Sequence, residues 1–489
     1  MASSRTSKAF LLASGNFASA LALLIVFAVL ARLLTVQEYA TYRQTLLAYL
    51  FVAPLLSLGL PQALYYFMPL REERTRQSLA NNQILLLFLG GMFCFFLLAG
   101  GNHLLAWRFG NPSLRVTLLI LAPYPLVMLP LSSLAACLIA QDRPKMVALY
   151  NTASKVLMLL LVIGLCFWIP KASYAVAGTV LAGFAAFPLG LWLMLRSCRS
   201  GNLRPDFSGI SEQIRYSVPL GLAAMLATLN IGLDKIIVAS MCDTDTFAVY
   251  VNGAMEIPLI STITASATSI LLPEMTKLYR ERSLEESLNL WKRAAVKCAL
   301  ILIPAMVYLF FVASPLMRIL FSTTYSESAT PFRIYLCLLP VRIAAFGAIF
   351  MAAGKSNLIL YRSLIALVAN LLLSIILVSL LGYLGAAIAT VLVVYIWVVP
   401  YNLKHIARLM ERRISETFPF SKVLHIFLLS LILLLPLIPI RYYIPMPDLL
   451  FLILSGAIYA ILLLLALNHF RYLDLTRLVR RLRRGTPQS

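Results

Sequence analysis

Apolar runs of about twenty residues follow one another from Phe10 to the neighbourhood of Phe470, each long enough to cross a bilayer core as a helix. Short polar stretches punctuate them. The pattern predicts about fourteen spans, centred near residues 22, 55, 91, 127, 158, 184, 229, 260, 305, 341, 370, 393, 431 and 458. The first apolar stretch, from Ala9 to Leu34, exceeds the roughly 7 to 15 residues of a signal-peptide core and reads as a retained helix. No stretch resembles a soluble domain, so the expected class is an all-α polytopic membrane protein.

The punctuation is charged on one side only. Arg5 and Lys8, then "REERTR", "DRPK", "RSCRSGNLRPDFSGISEQIR", "KLYRERSLEESLNLWKR", Lys355 with Arg362, "KHIARLMERR" and the tail "RYLDLTRLVRRLRR" fall at alternate connections. The intervening connections, such as "CDTDT", "LLGYLG" and "RYYIPMPD", are short and charge-poor. About 30 basic residues lie on the first side, about six on the second and about five within spans, which places the first side and both termini in the cytoplasm. Composition agrees with a membrane chain, at 61% hydrophobic and 12% charged residues. Basic loops facing anionic membrane lipids account for most of the +22 net charge, and no nucleic-acid motif accompanies them. The tail "RLVRRLRR" reads either as a basic amphipathic helix on the lipid surface or as a solvated segment.

An internal repeat organises the spans. "TVQEYATY" (35–42) follows the first run and "DTDTFAVY" (243–250) the seventh, sharing an aromatic-Ala-x-Tyr ending. Thr179-Val180-Leu181 pairs with Thr390-Val391-Leu392, and Tyr150 with Tyr361, at a similar interval. "FMPLREERTR" and "LLPEMTKLYRER" close the second and eighth spans alike. Six spans per copy is an even number, so both copies enter the bilayer the same way up. The expectation is two parallel six-helix lobes, residues 1–200 and 201–410, around a central cavity, with two further helices and a basic tail in 411–489.

Charges inside the spans mark that cavity. Asp234 and Lys235, in "NIGLDKIIVASM", lie about 10 Å inside the outward end of the seventh helix; Arg32 and Arg333 lie close to outward ends. Lys155, Glu256 and Arg342 sit roughly 14 to 18 Å from their helix starts, near the midplane. An uncompensated charge there costs at least about 2.5 to 3.5 kcal/mol, so these side chains are expected to face the interior. Arg32 and Arg333 read as snorkelling residues, whereas depth favours a functional or ion-paired role for Lys155, Glu256 and Arg342. Five basic and two acidic residues make a shared cavity net positive, suited to an anionic substrate. Asn252, one turn before Glu256, joins it, with Pro258 and a run of small hydroxyl residues suggesting a mobile, partly hydrated eighth helix. Asn370 is a further candidate, although a lone Asn at mid-span also serves as interhelical glue.

Enzyme signatures are missing: there is no GxSxG, phosphate loop or HExxH, and four scattered histidines (103, 405, 425, 469) fall near membrane surfaces. Seven cysteines sit singly, without metal-ligand spacing, and read as packing residues. No outward loop is long enough for a catalytic domain.

The duplicated plan, "ARLLTVQEYATY", "GLDKIIVASM", "LFSTTYSESATPFRIYLCLLP" and "AAGKSN" resemble polysaccharide flippases of the Wzx type, in the multidrug/oligosaccharidyl-lipid/polysaccharide exporter superfamily. The resemblance covers nearly the whole chain, and the order of the motifs carries it. It implies translocation of an undecaprenyl-pyrophosphate-linked oligosaccharide across a bacterial inner membrane by alternating access, in company with assembly proteins such as a polysaccharide polymerase and a chain-length regulator. Carried over by motif, the Asp-Lys of the seventh helix falls on Asp234 and Lys235. Lys155 and Arg342 rest on depth alone. No cofactor is implied. Proton or sodium coupling would fall to Asp234 and Glu256, with a static pair, Asp234 with Arg32 or Glu256 with Lys155, as an equal alternative. A lipid II flippase, a multidrug antiporter of the same superfamily and a membrane glycan polymerase are the rival readings; the net-positive set argues against the antiporter.

Overall fold

The computed structural model describes residues 5–470 and 472 apart from 71, 199 and 256; for several residues of 258–270, as for 5–13, the backbone alone is described. Among the described residues the chain is helical, without strands. Contacts divide it into two units, residues 1–270 with 354–401, and residues 271–353 with 402–489.

The first unit begins with α1 (Arg5–Leu33), α2 (Val36–Ser57) and α3 (Leu60–Leu70). The turn into α2 is set by Thr35, whose side chain accepts from the Glu38 amide, satisfying one of the donors a helix start leaves free. α2 and α3 are parted by Leu58 and Gly59, both at positive φ. Here the backbone meets residues 217–221 so closely that a Cβ on Gly59 would lie 2.6 Å from the Ser217 carbonyl oxygen and the Gly221 nitrogen.

Next come α4 (Thr75–Phe96), α5 (Asn102–Arg108), α6 (Leu114–Leu121), α7 (Tyr124–Leu131), α8 (Leu134–Ala140), α9 (Pro144–Trp168) and α10 (Ala172–Ser197). The prolines at 123, 125 and 130 break the predicted fourth span, which bends by 50° between residues 121 and 124. α9 packs against both α1 and α10. The Glu38 carboxylate of α2 accepts from the Ala172 amide at the start of α10, at 2.5 Å.

α11 (Phe207–Met241), α12 (Thr244–Gly253), α13 (Pro258–Arg280), α19 (Ser356–Leu381) and α20 (Leu384–Val393) complete the first unit, with α13 continuing into the second. Asp206 caps α11 and Asp243 caps α12, the latter accepting from the Thr246 amide at 2.7 Å. α11 holds to the first repeat at its start, where Gln213 donates to the Ser78 carbonyl at 2.9 Å and Tyr216 stacks on Tyr66 at 4.6 Å.

The second unit contains α14 (Leu284–Phe311), α15 (Ala313–Phe321), α16 (Ala329–Leu336), α17 (Leu339–Arg342), α18 (Phe346–Ala352), α22 (Ile414–Thr417), α23 (Phe420–Ile432), α24 (Leu437–Tyr443) and α25 (Asp448–His469), joined to the first by α21 (Val399–Leu409). Its core centres on buried Trp291, whose indole donates to the Ala344 carbonyl. Arg318 grips Asp448 through two bonds of 2.6 and 2.7 Å, tying α15 to the start of α25.

Among the described residues, eleven helices are long and apolar enough to cross a membrane, twelve if the bent pair is one span. The chain is a multi-pass membrane protein. Of the fourteen predicted spans, those near 229 and 260 fall on α11 to α13 and are outside that count. Like the bent fourth, the eighth and tenth spans are not the single rods the pattern predicts. The eighth is split into α12 and α13, with Ala254 in a turn and Met255 outside any helix. The tenth is a chain of short helices, α16 to α18, with Ala345 at φ 42°. Apolar runs specify burial in lipid but leave proline and backbone turns free to interrupt the rod. Nor do all cysteines sit singly, since Cys137 and Cys198, both buried, bring their Sγ atoms to 3.6 Å.

Candidate functional site

α12 is the element around which the charged positions of the first unit gather. It carries two polar side chains in two directions. Tyr250 reaches α11, where its hydroxyl donates to Asp234 Oδ2 at 2.6 Å. Asn252 reaches α2, where its Oδ1 accepts from the Tyr39 hydroxyl at 2.6 Å and from Arg43 Nη1 at 3.3 Å. Residues two apart on a helix point about 200° apart, which is why one short helix bridges both neighbours.

Asp234 is 2% exposed, so its charge is almost wholly removed from solvent, while Lys235 on the adjoining face is half-buried. The Tyr250 ring that serves Asp234 packs edge-on to Tyr383 at 6.4 Å. Lys155 of α9 is half-buried, with Nζ 4.0 Å from Met158 Sδ. Asn370 of α19 is buried and its Oδ1 accepts from Ser374 at 3.1 Å and Thr390 at 3.4 Å, so that carbonyl joins α19 to α20. The Thr390 bond is an interhelical tie of the kind weighed against a cavity role for Asn370.

Glu256 lies outside the described residues. Arg342 ends the one-turn α17 in the second unit and is exposed. The depth expected for it assumes a continuous helix, which the turn at Cys337 and Leu338 between α16 and α17 interrupts. Arg32 folds back on the Ala28 carbonyl at 2.7 Å, and Arg333 donates to the Phe310 carbonyl and to Ser314, each at 3.1 Å.

Arg43 was missed from sequence. The span pattern centred its run near residue 55 and left Arg43 at an edge; α2 begins at Val36 and carries it two turns inward. Its guanidinium lies 3.9 Å from the Phe27 ring centroid, and it donates to the Tyr39 hydroxyl at 2.7 Å and to the Val251 carbonyl at 3.4 Å. Beside it a buried polar layer forms, in which Asn111 donates to Thr41 at 2.9 Å and Gln44 at 2.8 Å, and Thr45 meets Thr117 at 2.7 Å. The signal for this layer was the polar cluster in "ATYRQT", set within an otherwise apolar run.

Helices packed in this order give a fold shared with solved membrane transporters. The fold is similar to that of a lipid II flippase, MurJ, in its inward closed conformation, with TM-score 0.75 and 18% identity over 96% of this chain and 100% of that one. It is also similar to an inward-facing multidrug resistance transporter of the MATE family, with TM-score 0.60 and 16% identity over 84% and 97% of the two chains. A further likeness is to a transporter of the same superfamily from Pyrococcus furiosus, with TM-score 0.58 and 15% identity over 83% and 96%.

The chain belongs to the polysaccharide biosynthesis protein family, whose sequence profile matches residues 29–330. A curated relative, the capsular polysaccharide biosynthesis protein CapF of Staphylococcus aureus, is 22% identical over 202 residues, 40% of this chain. The match spans 50% of that relative's length.

Proposed function

We propose that this chain is a flippase that carries an undecaprenyl-pyrophosphate-linked oligosaccharide, one repeat unit of a surface polysaccharide, from the inner to the outer leaflet of a bacterial cytoplasmic membrane. The observation that carries the reading is the coincidence of the polysaccharide biosynthesis family with an exporter fold along one chain. The basic connections support an orientation with both termini cytoplasmic. In that orientation the Thr35 and Asp243 ends of α2 and α12 face outward.

Lys155, Lys235 and Asn252 are the proposed contacts for the diphosphate and sugars in the first unit, with Asn370 a support between helices, and Arg342 is a separate proposed contact in the second. The cations outnumber the acids, which suits a headgroup of two phosphates, while the isoprenoid tail remains in lipid. Asp234 and Glu256 are the proposed coupling sites for a proton or sodium ion, because a carboxylate as buried as Asp234 changes its energy greatly on gaining a cation.

Deleting the gene and measuring lipid-linked glycans by leaflet tests the reading. Build-up of one undecaprenyl-linked repeat on the cytoplasmic leaflet, with surface polysaccharide lost and growth intact, is the expected result. Arrest of growth with lipid II accumulating favours the second reading, a lipid II flippase, to which the TM-score of 0.75 lends weight. Unchanged lipid-linked pools would sink both.

A further inference from the structure

Arg43 lies in a position that the repeat makes special. Its Nη2 donates to the carbonyl of Val251, a residue 208 positions on. That is the interval separating Thr35 from Asp243 and Tyr42 from Tyr250, so Arg43 touches its own counterpart in the second copy. A residue that contacts its counterpart in a parallel duplication lies beside the axis relating the copies, where a path between them would run.

The chemistry there is unbalanced. Arg43 lies within the span Val36–Met68, about 10 Å from its start, and its recorded acceptors are all neutral: the Tyr39 hydroxyl, Asn252 Oδ1 and the Val251 carbonyl. No carboxylate lies among its partners in the described residues. Asn252 Nδ2, fully buried beside it, has no acceptor. Donors therefore exceed acceptors, and the positive charge meets the Phe27 ring and neutral oxygens but no anion among the described residues, the pattern of an oxyanion site held shut.

We infer that Arg43 is a phosphate-displaced latch between α2 and α12. With the latch closed, the guanidinium spends its hydrogen bonds on Asn252 and the Val251 carbonyl and ties the two helices together. A phosphate oxyanion adds its own negative charge and a bidentate geometry that the neutral oxygens lack, takes the guanidinium over, and releases α12. Arrival of the headgroup is thereby coupled to separation of the helices. The inference rests on the proposed cargo, whose diphosphate is the source of the oxyanion; phospholipid headgroups offer the same chemistry.

The test uses the full chain in phosphatidylcholine nanodiscs, its native cysteines replaced by alanine, with spin labels at Gln37→Cys and Asp245→Cys. Both are exposed first-turn positions of α2 and α12. Undecaprenyl pyrophosphate should lengthen the label separation, whereas undecaprenol, the same tail without phosphates, should not. Arg43→Gln should populate the long separation without ligand and bind undecaprenyl pyrophosphate at least about tenfold more weakly. Asn252→Ala, which keeps the cation but removes a proposed headgroup contact, should also release the helices without ligand, and should weaken binding less than Arg43→Gln does.

Equal lengthening by undecaprenol, or unaltered binding by Arg43→Gln, would overturn the latch. Lengthening in phosphatidylglycerol nanodiscs without carrier lipid would overturn the carrier as its trigger and assign the anion to the bulk headgroup. Arg43→Lys, which retains charge and stem, guards against a folding defect: a melting temperature near the parent's with a loosened latch supports the inference, and an intact latch counts against it. Wild-type glycan export by Arg43→Gln cells would remove the latch and leave the flippase standing, whereas unchanged glycan pools in the gene deletion would remove both.

Discussion

At Asp234 a carboxylate is held inside a membrane protein by a tyrosine from the next helix. A buried acid needs a donor, and the Tyr250 hydroxyl at 2.6 Å supplies one. Tyr250→Phe should cost about 1 to 3 kcal/mol of stability, the range for stranding a buried polar partner, read as a lower melting temperature of the purified protein. Asp234→Asn should leave the fold intact and abolish dependence of flipping on an imposed proton or sodium gradient in proteoliposomes. Gradient dependence persisting in that variant would move the coupling role away from Asp234. The charges themselves were legible, because Asp and Lys in an oily run stand out. Their partners were not: Tyr250 was visible only as a repeat marker, and Arg43 as the edge of a span.

Elements here are joined by close backbone approach as much as by side chains. A Cβ on Gly221 would lie 2.2 Å from the Leu58 carbonyl carbon, so Gly221→Ala must push α11 off the break between α2 and α3. We expect that variant to melt several degrees lower or to express poorly. Gly91→Ala, whose new Cβ would find only Leu126 Cδ2 at 3.9 Å, should match the parent in the same thermal assay. The sequence predicted where helices occur but not where they break. Gly59 could be suspected of a turn, whereas the positive φ of Leu58 and Ala345 has no residue-type signature. Starts were easier to read in hindsight: Thr35 and Asp243, equivalent in the two copies, both cap the following helix with a side-chain oxygen.

Over the whole molecule, the repeat and the packing divide the chain differently. The duplication suggests lobes at 1–200 and 201–410, while contacts group residues 1–270 with 354–401. A repeat records ancestry, and a contact unit records one packed arrangement, in which the start of α11 adheres to α4 through Gln213. Orientation belongs to this scale too. A reporter fused after Ser489 should register as cytoplasmic, and one inserted in the "RYYIPMPD" connection as external; the reverse result would invert every assignment of inward and outward made for α2 and α12.

The sequence by itself determined that this is a helical, multi-pass membrane chain with a handful of charges set among its apolar runs, because the cost of exposing polar groups to lipid is large and writes itself into every span. Tertiary structure alone decided which of those charges meet. Asp234 with Tyr250, and Arg43 with Asn252 and Val251, depend on where two capped helices cross, and a crossing is set by the packing of whole faces rather than by any local pattern.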